Sequence, residues 1–276
     1  MAGSMVYRLQ VAGVDVQHML RFRKALAQAE ATSDNRGYNF IAGYHGAPGW
    51  YCWHHQASRR VAVQARLFLP WHRAYLSHLE LTLQQLVGDM QVSLPWWDWT
   101  VDRQVPAAYA APEVEGAPNP LYRTHVVVTS ANPQIDRDTE RDPGGNPQAQ
   151  LPTANDINGL LDTTDWASFS DFLENFHDSV HAWVGGDMDD VTTAAYDPIF
   201  FAHHCMIDRV WAMWQDRHGN GNFPADLLDL PLQPFGKVVR DVLSVQALGY
   251  EYAATATEVP ITASVETSIV STAAVR

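Results

Sequence analysis

The chain has 276 residues, of which 46% are apolar and 18% charged, and its 31 acidic against 18 basic side chains give a net charge of −13. That balance argues against nucleic acid and anionic membranes as partners, and no apolar run nears the roughly 18 residues that a membrane-spanning helix needs. Two cysteines cannot build a disulfide framework. The opening MAGSMVYR lacks the hydrophobic core of a signal peptide, so the cytoplasm is the expected compartment, with export alongside a partner left open.

In chain order, residues 14–31 read as an amphipathic helix, with Val16, Met19, Leu20, Phe22 or Arg23, Leu26 and Ala27 keeping its period. A short second helix is expected to end near GYHG, with Gly46 as its stop and His45 at that end. PGWYCWHH, 48–55, reads as a loop holding Cys52, His54 and His55. A helix over 67–87, closed by Gly88, carries His72 in its first turn, and His78, six residues on, faces elsewhere. In LPWWDWT, 94–100, Asp98 is expected to accept hydrogen bonds from backbone or indole groups. Residues 101–152 hold eight of the 16 prolines and little apolar periodicity, which predicts a long irregular excursion rather than a second domain. His125 lies in its one β-branched run and is given no role.

The chain is organised around 172–214. His177 and His181 stand four apart, one helical turn on one face. His203 and His204 follow on a second segment that Asp197-Pro198 opens, Asp as cap and Pro at the first helical position. Two imidazoles from one helix and a third from its neighbour suit copper, zinc or iron. A basic ring among Trp183, Phe200, Phe201, Trp211 and Trp214 needs a partner, and a metal is one. Two histidine-bearing helical halves, 45–87 and 177–217, are the nearest thing to a repeat.

FLPWHRAYLSHLE, LPWWDWT, HDSVHAWVGGDM and DPIFFAHHCMIDRVWAMWQ resemble, in order, the signatures of type-3 copper proteins: tyrosinases, catechol oxidases, o-aminophenol oxidases and molluscan hemocyanins. LGYEY, 248–252, is similar to the tyrosine motif closing that catalytic domain, with Arg8 as the arginine that packs on it. The resemblance implies a mainly α fold, a central antiparallel four-helix bundle holding a dinuclear copper site, with long irregular loops and few short strands. It implies a catalytic domain over 1–254 and a small-residue-rich tail over 255–276.

It further implies a second copper, CuB, on His177, His181 and His204, with His203 lining the pocket. The first copper, CuA, would use His45 and His72. The histidine usually found nine residues before the latter is replaced here by Val63. Cys52-Trp53-His54 resembles the Cys-x-His in which the cysteine is thioether-linked to a CuA histidine, so His54 is the expected third ligand, with His55 as its rival and loss of CuA as the remaining alternative. Glu174 and Asp178 match the pair that orients a water as base, and Val191 the residue that gates substrate over CuA. The implied activity is oxidation of o-diphenols, and possible hydroxylation of monophenols, to o-quinones with O2 as co-substrate. An o-aminophenol oxidase, a mononuclear copper enzyme and a hemocyanin-like O2 carrier are the alternatives. The implied partner is a small phenolic substrate; whether a copper-delivery partner is needed stays open.

Overall fold

The computed structural model describes residues 5–13, 16–52 and 66–254. His54, His55, Val63 and the tail 255–276 lie outside the described residues. Among the described residues, four long helices form the frame: α1 (Val16–Glu30), α3 (Phe68–Val87), α6 (Trp166–Val184) and α7 (Ile199–His218). Three shorter helices accompany them: α2 (Tyr38–Ala42), α4 (Ala107–Ala110) and α5 (Ala154–Leu161). Helix α3 is the hub. It packs on α1, α6 and α7, and α6 packs on α7. The expected mainly helical architecture is thus what the chain forms.

The apolar period of α1 buries Met19, Phe22, Ala25, Leu26 and Ala29 against α3, but Val16 at its start is 68% exposed rather than part of the core. Helix α3 is buried on nearly every side over Phe68–Leu76, as befits a helix surrounded by others. Its C-terminus turns at Gly88, whose φ of +66° is the left-handed conformation that a glycine adopts without penalty.

Two expectations about local structure are corrected. The second helix stops at Ala42, capped by Gly43, so His45 sits in the turn beyond it. Gly46 serves close approach instead of termination: a Cβ there would lie 2.3 Å from the Val191 and Thr192 carbonyl oxygens. His72 is the fifth residue of α3 rather than part of its first turn, which lets its Nδ1 donate to the Phe68 carbonyl at 2.8 Å.

The amino-terminal strand β1 (Val6–Leu9) pairs in parallel with the last described strand (Tyr250–Ala253). Arg8 is thereby carried into the core, its guanidinium 3.5 Å over the Tyr250 ring, as expected of the arginine and the LGYEY segment. Around it Arg8, Glu80, Arg73 and Asp208 form a buried charge network. Arg8 donates to both Glu80 oxygens at 3.0 and 3.1 Å, and Asp208 accepts from Arg8, Arg73, Tyr250 and Tyr252. Each charge is opposed and hydrogen-bonded, the condition under which burial is tolerated.

The excursion over 101–152 is irregular apart from helix α4 and two hairpins. The second hairpin pairs His125–Val128 antiparallel with Ile135–Asp138; these strands are termed βa and βb. Beyond βb, Arg141 grips Asp197 with a two-pronged ion pair, its Nε 2.6 Å from Oδ2. The same carboxylate accepts from the Ile199 backbone N–H at 3.1 Å. The excursion therefore fixes the entry of α7. Asp98 accepts from the Thr100 backbone and hydroxyl; its Oδ1 contacts involve no indole.

Candidate metal centre

Helix α6 presents His177 and His181 on one face, and α7 brings His204 against them. His177 Nε2 lies 3.2 Å and His181 Nε2 3.4 Å from His204 Nε2. The outer nitrogens are already engaged. His177 Nδ1 is 2.9 Å from Asp178 Oδ1, and His181 Nδ1 is 2.5 Å from the Met188 carbonyl oxygen. Both partners are acceptors, so each Nδ1 carries the proton and each Nε2 is left with a lone pair pointing inward. Lone pairs converging at this range repel unless a cation lies between them. A proton on His204 Nε2 could satisfy them only by forking; a metal ion with open coordination positions satisfies all three. His203 is the fourth member of the group, with ligand atoms of all four residues within 4.8 Å of one another.

Burial reinforces this chemistry. His181 is pushed down to about 4, mainly by burial, although the Met188 carbonyl and Asp178 pull the other way. His203 and His204 are held well below the ordinary imidazole range by burial, and then by the neighbouring imidazoles. All three rings are neutral at pH 7, the form that binds metal.

The amino-terminal half supplies two more rings. His72 stacks on His204, with centroids 4.3 Å apart and planes 14° from parallel. Its Nδ1 is also occupied, by Phe68, so its Nε2 is the ligand atom on offer. His45 lies 5.6 Å from His72 and 6.3 Å from His204, centroid to centroid. Phe200 covers His204 at 4.0 Å and His45 at 4.8 Å, and Phe68 stands 4.8 Å from both His72 and His177. These fully buried phenyl rings make the surroundings dry.

The other sequence-predicted residues fall as follows. Glu174 is buried on α6, one turn before His177 and two before His181. Asp178 is partly exposed, with its carboxylate on His177 Nδ1. Val191 is 44% exposed, on the segment whose backbone packs against Gly46 beside His45. Cys52 is buried; the thioether expected of it falls on His54, outside the described residues. Sequence reasoning did not find the carbonyls of Met188 and Phe68, nor the ring of Phe200 over His204. No side-chain signal marks a carbonyl, but Phe200 stood in the quoted motif.

A helical core with histidines converging from α3, α6, α7 and the turn after α2 defines a metal-binding protein of the type-3 copper class. Over residues 35–217 the chain matches the family described as the common central domain of tyrosinase, and it belongs to that family. It is 36% identical over 203 residues to a tyrosinase of Streptomyces glaucescens, covering 63% of this chain and 73% of the relative. To hemocyanin β-C chain unit G of Helix pomatia it is 27% identical, over 89% of this chain and 65% of the relative. Among solved structures, a tyrosinase from Burkholderia thailandensis shares the fold with a TM-score of 0.74 at 21% identity, over 91% of this chain and 75% of that one. A functional unit of octopus hemocyanin gives 0.72 at 27% identity, over 90% and 68%. Membership implies copper, chemistry with O2 as an oxidase or O2 binder, and small phenolic substrates where the member is an enzyme.

Proposed function

We propose that this protein is a phenol oxidase that takes two electrons and two protons from an o-diphenol, giving the o-quinone, with O2 as the oxidant. The observation that carries the reading is the meeting of the two histidine-bearing halves. His45 and His72 stand against the His177–His181–His204 trio, with His72 stacked on His204. This supports two copper ions per chain, one on His177, His181 and His204, the other on His45, His72 and a third ligand for which His54 is our candidate. When bound, copper would supply O2 binding and the acceptance of electrons.

The chain's own residues do the rest. The Phe68 and Met188 carbonyls and Asp178 fix three imidazoles in one tautomer and one direction. Asp178 also raises the donor strength of His177. Phe68 and Phe200 exclude water from the rings. Glu174, with Asp178, is our candidate for orienting a water that removes the phenolic proton, which monophenol hydroxylation requires as well. Val191, an exposed small side chain beside the His45 turn, is our candidate for the residue that admits substrate.

Metal content and turnover test this together. Reconstituted protein should hold about two copper ions per chain and oxidise catechol, and His177→Ala, His181→Ala or His204→Ala should abolish that activity. Wild-type turnover in any of the three would overturn the ligand assignment. Reversible O2 uptake with negligible catechol oxidation would mark a carrier, the reading that likeness to the Helix pomatia hemocyanin favours. One copper per chain would point to a mononuclear enzyme, and preference for o-aminophenol over catechol to an aminophenol oxidase.

A further inference from the structure

We propose that Arg137, on the excursion hairpin, is a positioning residue for the metal centre: its grip on Asp187 sets the turn whose Met188 carbonyl aims His181. Arg137 reaches across from strand βb. Its Nη1 donates to Asp187 Oδ2 and its Nη2 to Asp187 Oδ1, both at 2.7 Å, the parallel fork that only a guanidinium supplies. The Glu140 backbone N–H donates to the same Oδ2 at 2.7 Å, and the Asp187 N–H returns a bond to the Glu140 carbonyl at 2.9 Å. The next residue is Met188, whose carbonyl oxygen takes the His181 Nδ1 proton at 2.5 Å. One peptide unit thus separates an arginine on a surface hairpin from the bond that fixes the tautomer and direction of a proposed ligand.

The contact is built closely. A Cβ at Gly186 would stand 2.1 Å from the Glu140 carbonyl oxygen, so the strap after βb lies directly on the turn. The Asp187 side chain is 1% exposed while that of Arg137 is 47% exposed. Removing Arg137 leaves the buried Asp187 carboxylate with the Glu140 N–H as a donor but without its cation, so Arg137→Ala should cost measurable stability. Other bonds hold the surrounding backbone without it: Gly185 N–H to the His181 carbonyl, Asp142 N–H to Val184 and Gly144 N–H to Trp183. The turn's own bonds, Met188 N–H to the Gly185 carbonyl and Asp190 N–H to the Asp187 carbonyl, give it its shape; what Arg137 adds is the anchor of the Asp187 side chain, which fixes that turn against the hairpin. The metal consequence rests on His181 being a ligand, as proposed above; the effect on the His181 proton does not.

The test uses the full chain, metal-free and copper-loaded, with Arg137→Ala, Arg137→Lys and a control, Arg123→Ala, which cuts the exposed Arg123–Asp138 pair of the same hairpin. In metal-free protein carrying 15N-histidine, exchange of the His181 Nδ1 proton should quicken about tenfold in Arg137→Ala and less in Arg137→Lys. From loaded protein, copper should pass to a chelator about tenfold faster, the scale typical of lost outer-sphere support. Arg137→Ala should lower the unfolding midpoint more than Arg123→Ala, because it strands a buried carboxylate, but the quickening should be confined to His181; Arg123→Ala should leave proton exchange and copper loss unchanged. Wild-type exchange in Arg137→Ala would overturn the proposal. So would a uniform quickening of all histidine protons, which would make Arg137 a general brace. If wild type holds no copper, the ligand reading fails, and proton exchange still decides the role of Arg137.

Discussion

Acidifying the metal-free protein should weaken what the neutral histidine centre contributes to its stability. His181 lies near 4 in the folded chain against an ordinary value of 6.5. The unfolded chain therefore binds the extra proton between those limits, so stability is complete above about pH 6.5 and falls as pH drops towards 4. The separation corresponds to about 3 kcal/mol for this one group, of which about 2 should be lost by pH 5. His203 and His204 act in the same direction. Two groups act oppositely: burial pushes Glu30 up to about 8, and hydrogen bonds to Asp138 and Asp136, partly offset by desolvation, raise His125. A difference experiment removes those contributions. Urea unfolding of the metal-free wild type and of His181→Asn, at pH 7, 6 and 5, should give curves that converge as pH falls, because the variant has lost one titrating site. Parallel curves across this range would refute the buried, neutral state of His181.

Asp208→Ala should lower stability by about 3–5 kcal/mol in denaturant unfolding, since it leaves the buried Arg73 without a carboxylate and Arg8 with Glu80 alone; Asp229→Ala, which cuts an exposed ion pair, should barely register. Gly186→Ala should loosen the turn that carries Met188, because its φ of +58° and the Glu140 carbonyl both exclude a Cβ; measurably faster copper loss would confirm this and unchanged retention would contradict it. If His54 completes the first site, His54→Ala should lower bound copper from about two towards one per chain while His55→Ala does not, as metal analysis can read directly. Both variants keeping two ions would remove both histidines from consideration.

The sequence by itself determined the parts that depend on local repetition. The four-residue spacing of His177 and His181 put both on one face of a helix, and the apolar surroundings of His203 and His204 marked them as interior. The low periodicity of 101–152 marked an irregular excursion. Family motifs added the pairing of Arg8 with LGYEY and the roles expected of His45 and His72. Tertiary structure decided what those residues meet. The placement of His45 depends on Gly46 lying against the Val191 and Thr192 backbone, a contact between segments far apart in the chain. The directions of His72 and His181 are set by the carbonyls of Phe68 and Met188. Every residue carries a carbonyl, so residue type cannot reveal which ones serve. Only the folded path of the backbone selects them, and that path at Met188 is held by an arginine from an excursion whose sequence gave no sign of bearing on the site.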